Sequence, residues 1–226
     1  MNDSTLSDPK PLGDFISVNN PIPFYPPGAS GTDGPPKVAP PHLTDGMRYF
    51  EQFCPVAYKE FDPEHPNLIR NRDAINTVLS YQFSTKGLLL TGPTNKGKTR
   101  VAWQLLKRLY ADDGVECRWY HSMDFFSKLQ EFVSYGRDDA REWVSAVANR
   151  RVVFIDDLGQ EANLKSREEW AEGWFFRFLD WRLERKLPLI ITTNLTAKDI
   201  ANKQGDIRSD PLLRRMLDVC DVVKFA

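Results

Sequence analysis

The sequence predicts an α/β fold with a mostly parallel five-stranded sheet between two layers of helices. Three observations predict it. Gly92-Pro93-Thr94-Asn95-Lys96-Gly97-Lys98-Thr99 fits the phosphate-binding loop pattern G-x-x-x-x-G-K-[ST] in full. Two apolar runs close in polar residues, the one in Arg151 to Gly159 in the carboxylates Asp156 and Asp157 and the one in Pro188 to Asn194 in an amide, as strands buried on both faces do at the functional edge of a sheet. From residue 67 onward, strand-like and helix-like segments alternate, an order that implies parallel strands joined by right-handed crossovers.

The elements follow in order. Residues 1–45 hold ten of the sixteen prolines and show no sustained period, so they are expected to be disordered or extended. Within them, Pro21 to Pro27 is an apolar exception that reads as a partner-docking peptide or as a linker with incidental aromatics. Residues 46–66 carry Tyr49, Phe50, Phe53, Tyr58 and Phe61, a lead-in expected to pack on a core spanning 67–226. Asn67 to Tyr81 reads as one helix with Leu68, Ile69, Ile75, Val78 and Leu79 inward. Gly87 to Thr91 is the first strand, and Arg100 to Tyr110 a helix with Val101, Ala102, Leu105, Leu106 and Leu109 on its buried face. Val115 to His121 is the second strand. Met123 to Tyr135 and Asp138 to Asn149 are helices, the first with Phe125, Phe126, Leu129, Phe132 and Val133 inward, the second with Trp143, Val144 and Val147. After the third strand, Ser166 and Glu169 form a capping box. The helix they open carries Trp170, Trp174, Phe175, Phe178 and Leu179 along one side, a stripe that reads as core or subunit contact before it reads as a base-stacking platform. Thr196 can cap the next helix, and Val219 to Phe225 is the final strand.

The chemistry sits at the strand ends. Gly92 and Gly97 let the backbone curl so that amide hydrogens point at phosphate oxygens, and the following helix adds its positive end. The nucleotide-binding segment is Gly92, Pro93, Thr94, Asn95, Lys96, Gly97, Lys98, Thr99 and Arg100. Lys98 reaches the β- and γ-phosphates, and the Thr99 hydroxyl serves Mg²⁺. Asp156 joins the Mg²⁺ shell, Asp157 orients or deprotonates the attacking water, and Asn194 positions that water. ATP and Mg²⁺ are the expected ligands.

The loop, Ile155-Asp156-Asp157-Leu158-Gly159 and Ile191-Thr192-Thr193-Asn194-Leu195 together resemble the DnaC/IstB-like AAA+ ATPases, bacterial helicase loaders and transposition helpers, over roughly residues 67–226. The resemblance implies ATP hydrolysis, strand order 5-1-4-3-2, no C-terminal helical lid, and self-association through an arginine finger. Arg215 is the first choice for that finger, with Arg214 and Arg208 behind it. It also implies DNA, single-stranded DNA above all, and a replicative helicase or transposase as partners. Glu161 then senses nucleotide or touches a neighbouring subunit. Helicase loaders carry a folded N-terminal region where this chain has its proline-rich tail, a departure that bears on the helicase partner and leaves the core unaffected.

Composition narrows the setting. The net charge of −1 gives no global basic field for nucleic acid, so any DNA contact must be local. The acidic start, Met1 to Asp8, does not read as a signal peptide, no apolar run is long enough to span a membrane, and Cys54, Cys117 and Cys220 stand apart as small buried hydrophobes. A cytoplasmic protein is expected. Two other classes share these motifs, a small-molecule P-loop kinase and a nucleotide-gated adaptor with little turnover. The first should respond to an acceptor rather than to DNA, and turnover separates the second.

Overall fold

The computed structural model describes residues 41–159, 168–194 and 211–226. The proline-rich stretch to residue 40, Glu161, Ser166, Thr196 and Arg208 lie outside the described residues.

Among the described residues, five strands form one parallel sheet: β1 (Gly87–Thr91), β2 (Cys117–His121), β3 (Val152–Leu158), β4 (Leu189–Thr193) and β5 (Cys220–Lys224). Their spatial order is β2-β3-β4-β1-β5, the expected order read from the other edge. Side chains alternate across a strand, so consecutive residues serve opposite layers. Leu88 and Leu90 join one core cluster, and Leu89 joins the other. The first layer holds α1 (Pro41–Phe53), α2 (Val56–Lys59), α3 (Pro66–Ile69), α4 (Arg72–Leu79) and α5 (Lys98–Ala111). The second holds α6 (Ser122–Tyr135), α7 (Arg137–Ala148), α8 (Glu168–Glu184) and α9 (Pro211–Val219). The sheet between them makes the three-layer architecture.

Helix α5 buries the five residues its spacing marks, and it also buries Trp103 and Tyr110. The second buried side exists because α1 covers it. Phe50 meets Trp103 edge-on with ring centroids 5.9 Å apart, and the Trp119 backbone N–H donates to the Tyr49 hydroxyl at 2.9 Å. The aromatic lead-in is therefore part of the core, except that Phe53 is exposed. Its helix begins at Pro41, four residues before the expected end of the extended tail, and proline suits a first helical turn.

The expected helix over 67–81 is broken in two. Asn71 stands at the break, and its carboxamide both donates to the Ala226 carbonyl (3.2 Å) and accepts the Ala226 N–H (2.7 Å). That tertiary pairing, 155 residues away in sequence, outweighs the local period. It also corrects Ile69, which turns outward while Leu68 stays buried. Val219 closes α9 rather than opening β5, and β2 begins at Cys117.

In α8, Phe175, Phe178 and Leu179 are buried against α6, with Phe125 and Phe178 rings 5.5 Å apart, so this part of the stripe is core. Arg182 of the same helix is fully buried. Its guanidinium donates to the carbonyls of Ala148 (3.2 Å), Arg151 (3.3 Å), Arg150 and Pro188. Burial pulls its pKa down, and four carbonyl dipoles, including one at the C-terminal end of α7, offset the lost hydration. The three cysteines are buried, and desolvation raises each thiol's pKa, that of Cys54 to about 11. Among the described residues, no helix is long and apolar enough to cross a membrane.

Candidate nucleotide site

The loop leaves β1 at Thr91 and enters α5 at Lys98 through three left-handed positions: Gly92 (φ 134°), Asn95 (φ 59°) and Gly97 (φ 88°). A Cβ on Gly92 would lie 2.1 Å from the Phe225 carbonyl oxygen, and one on Gly97 would lie 2.2 Å from the Leu68 side chain. Glycine is thus required twice, by conformation and by close approach. Asn95 takes the third position because asparagine tolerates the left-handed region better than most residues.

Lys98 is buried, and its Nζ donates to the carbonyls of Gly92 (2.7 Å) and Pro93 (2.6 Å) and to Asn194 Oδ1 (3.2 Å). Asn194 Nδ2 in turn donates to Asp157 Oδ1 at 2.9 Å. The end of β4 thus bridges the loop lysine and the second carboxylate of β3. Beside this chain, Asp156 Oδ1 accepts from Thr99 Oγ1 (2.8 Å) and from Thr192 Oγ1 (2.5 Å). The hydroxyl and the carboxylate oxygen offer hard oxygen donors at one point, which fits Mg²⁺ held by one or two protein ligands, with phosphate and water supplying the rest. Among the described residues, no group of three or more His, Cys, Asp or Glu side chains could hold a metal alone.

Strand β3 does not stop at its carboxylates. Ile155 pairs with Ile191 and Leu158 with Thr193, so β3 advances three residues while β4 advances two. The extra residue is a bulge, and Asp157 within it has φ 61°. A left-handed non-glycine residue costs roughly 1–2 kcal/mol and persists only where its surroundings hold it. Here Thr192 Oγ1 accepts the Asp157 N–H (2.8 Å), Ser122 Oγ donates to the Asp157 carbonyl (2.9 Å), and Thr193 Oγ1 donates to the Leu158 carbonyl (2.8 Å).

Burial sets the electrostatics. Desolvation raises the pKa of Asp156, opposed by the Thr192 and Thr99 hydroxyls and assisted by the nearby Asp157 charge. Desolvation lowers the pKa of Lys98, opposed by Asp157 and Asp156. The folded chain therefore binds the Asp156 proton more tightly than the unfolded chain does. Asp156 favours folding below the ordinary carboxylate range and costs stability as pH rises through its raised pKa. Asp156→Asn should accordingly melt above the wild type at neutral pH in EDTA, with the gap closing in acid. A thermal melt followed by circular dichroism reads this directly, and a lower melting temperature at neutral pH would contradict the assigned cost.

A cavity of about 380 Å³ opens over the loop and runs from Asp157 and Asn194 past Thr94–Arg100 to Tyr58, His65 and Leu68. Arg100 lies in its wall with its guanidinium 5.6 Å from the Tyr58 ring centroid. The structure thus gathers Gly92 to Arg100, Asp156, Asp157 and Asn194 into one place. It adds Thr192, Tyr58 and His65, none of which the sequence reading assigned to the site. Thr192 had a legible signal, since it lies two residues before Asn194 and such positions share a strand face. Arg215 is elsewhere, on α9. Its Nε lies 2.7 Å from Asp180 Oδ1, its Nη1 donates to Asp218 Oδ2 at 3.2 Å, and its guanidinium covers the Phe176 ring at 5.3 Å. Arg214 beside it is exposed.

The family model described as IstB-like ATP binding protein matches residues 62–226. Among solved structures, the DnaC helicase loader superposes with a TM-score of 0.59 at 22% identity, covering 75% of this chain and 96% of that one. DnaI gives 0.56 at 21%, covering 77% and 95%. The replication initiator DnaA bound to AMPPCP and single-stranded DNA gives 0.53 at 16%, covering 76% and 51%. At these identities the likenesses establish the fold. No curated protein sequence matches the chain.

Proposed function

The chain belongs to the DnaC/IstB-like AAA+ ATPases, a family of ATP-binding proteins, and from that premise we propose that it hydrolyses ATP while assembled on DNA and loads or remodels a replication partner. One observation carries the catalytic half of this reading: the unbroken path from Lys98 through Asn194 to Asp157, beside the Thr99–Asp156 pair.

In this reading the loop amides and the N-terminal end of α5 cradle the phosphates. Lys98 shifts from the loop carbonyls to the γ-phosphate oxygens. Thr99 and Asp156 would hold Mg²⁺, which would supply neutralisation of the charge that develops on the phosphates. Asn194 keeps its grip on both Lys98 and Asp157, so that the Asp157 carboxylate faces the water that attacks in line. The base and ribose occupy the Tyr58, His65 and Leu68 end of the cavity.

The likeness to a helicase loader, and to an initiator bound to single-stranded DNA, supports a DNA-linked role, for which the cytoplasm is the proposed setting. A transposition helper is the second reading, favoured by the IstB-like description of the matching family. Pull-down from cell extract separates them by whether a replicative helicase or a transposase is retained.

The arginine edge tests the assembly. Arg215 is assigned as the finger that neutralises charge in a neighbour's site, which requires it to exchange Asp180 and Asp218 for phosphate. Arg215→Ala should leave nucleotide binding intact and lower assembly-dependent hydrolysis by about 10³-fold. If Arg215→Ala is silent and the exposed Arg214→Ala is not, the finger is Arg214.

A further inference from the structure

Thr192 lies in the middle of the site, yet the reading above gives it no role. It is 1% exposed, at the register position opposite Leu90 of β1. A hydroxyl has one hydrogen to give and two lone pairs to offer. Thr192 gives its hydrogen to Asp156 Oδ1 at 2.5 Å and offers a lone pair to the Asp157 N–H at 2.8 Å. A single atom thus touches both consecutive acidic residues, one through its carboxylate and the other through its backbone. The same Asp156 oxygen accepts the Thr99 hydroxyl, so its direction is set from the loop side and from the β4 side together.

The backbone contact matters because Asp157 is the left-handed residue of the bulge. With its N–H held by Thr192 and its carbonyl held by Ser122, the peptide units on both sides of its Cα are fixed. The direction of the Asp157 side chain follows from that orientation, and its Oδ1 then meets Asn194.

We propose that Thr192 is a positioning residue that fixes the metal-side carboxylate of Asp156 and the water-side carboxylate of Asp157 relative to each other. The inference rests on the roles assigned above to those two residues. Its content is geometric: one hydroxyl sets two directions, so its loss loosens both while leaving the phosphate loop in place.

Thr192→Val keeps the β-branched shape of the buried strand and puts a methyl where the hydroxyl was. Thr192→Ser keeps the hydroxyl and removes a methyl. Each full-length variant is assayed for affinity for a fluorescent ATP analogue in EDTA and in Mg²⁺, and for turnover at saturating ATP. The expected result for Thr192→Val is unchanged affinity in EDTA, a smaller gain in affinity on adding Mg²⁺, and turnover reduced about 10- to 100-fold, as misplaced catalytic groups cost. Thr192→Ser should recover both the Mg²⁺ gain and turnover. Wild-type turnover and Mg²⁺ response in Thr192→Val would overturn the proposal. So would equal impairment of the serine variant, which would assign the position to packing. So would a loss of metal-free affinity matching the loss of turnover. Asp157→Asn in the same assay separates this inference from the reading beneath it. If Asp157→Asn turns over normally, the role of Asp157 fails and the Mg²⁺ arm alone decides for Thr192. If Asp157→Asn is slow while Thr192→Val is normal, only the positioning role fails.

Discussion

Lys98→Ala is expected to reduce ATP hydrolysis by at least about 10²–10³-fold, the range seen when one preorganised charge-stabilising donor is removed. The lysine is buried, and burial works against its charge. The chain bears that cost because three acceptors from two strand ends converge on Nζ: Gly92, Pro93 and Asn194. Removing the ammonium takes the counter-charge away from the phosphates and also frees the first two carbonyls of the loop. Weaker nucleotide binding should accompany the loss of turnover, measured as the concentration of fluorescent ATP analogue needed for half saturation. Lys98→Arg should not rescue, because a planar guanidinium cannot occupy a pocket shaped for a compact cation with three donors. Retained hydrolysis in Lys98→Ala would remove the loop from the mechanism.

Asp157→Asn is expected to separate binding from turnover. The carboxamide keeps the size of the side chain and can still accept from Asn194 Nδ2 through its oxygen, so the bulge and the loop should stand. What is lost is the negative charge and the capacity to take a proton. General-base contributions are typically worth about 10²–10⁴-fold, and turnover should fall in that range with affinity for Mg²⁺–ATP preserved. Single-turnover kinetics with pre-bound ATP read the chemical step alone. Unchanged single-turnover rates would mean that another group activates the water.

The parts of the fold legible in the sequence are those whose causes are local. The Gly92–Thr99 loop, the buried runs of β1, β3 and β4, and the amphipathic face of α5 each depend on residues a few positions apart, and each stands where its pattern puts it. What escaped depends on pairings across the chain. The break before α4 comes from Asn71 holding Ala226, and no period in residues 67–81 carries that information. Trp103 reads as the wrong face of an amphipathic helix until α1 is laid over it. Arg182 reads as a solvated charge on α8, whereas four carbonyls, one from the end of α7 and three from the segments entering β3 and β4, enclose it.

The site divides the same way. Asp156 and Asp157 are adjacent in sequence, and their separate surroundings arise from the bulge, which turns one towards Thr99 and the other towards Asn194. Thr192 sits in a β-branched run where strand propensity alone accounts for threonine; its spacing from Asn194 puts both on one strand face, and the β3–β4 register then gives its hydroxyl its partners. Arg215 reads as a charge offered outward, and within its own subunit it is engaged by Asp180 and Asp218.

The central claim is a shared, DNA-linked ATPase site. It is tested most directly by the rate of ATP hydrolysis per subunit across protein concentrations, with and without single-stranded DNA, using Lys98→Ala as the blank. The account predicts a rate per subunit that climbs with protein concentration and shifts when DNA is added. A rate that stays flat with concentration and is indifferent to DNA would contradict it.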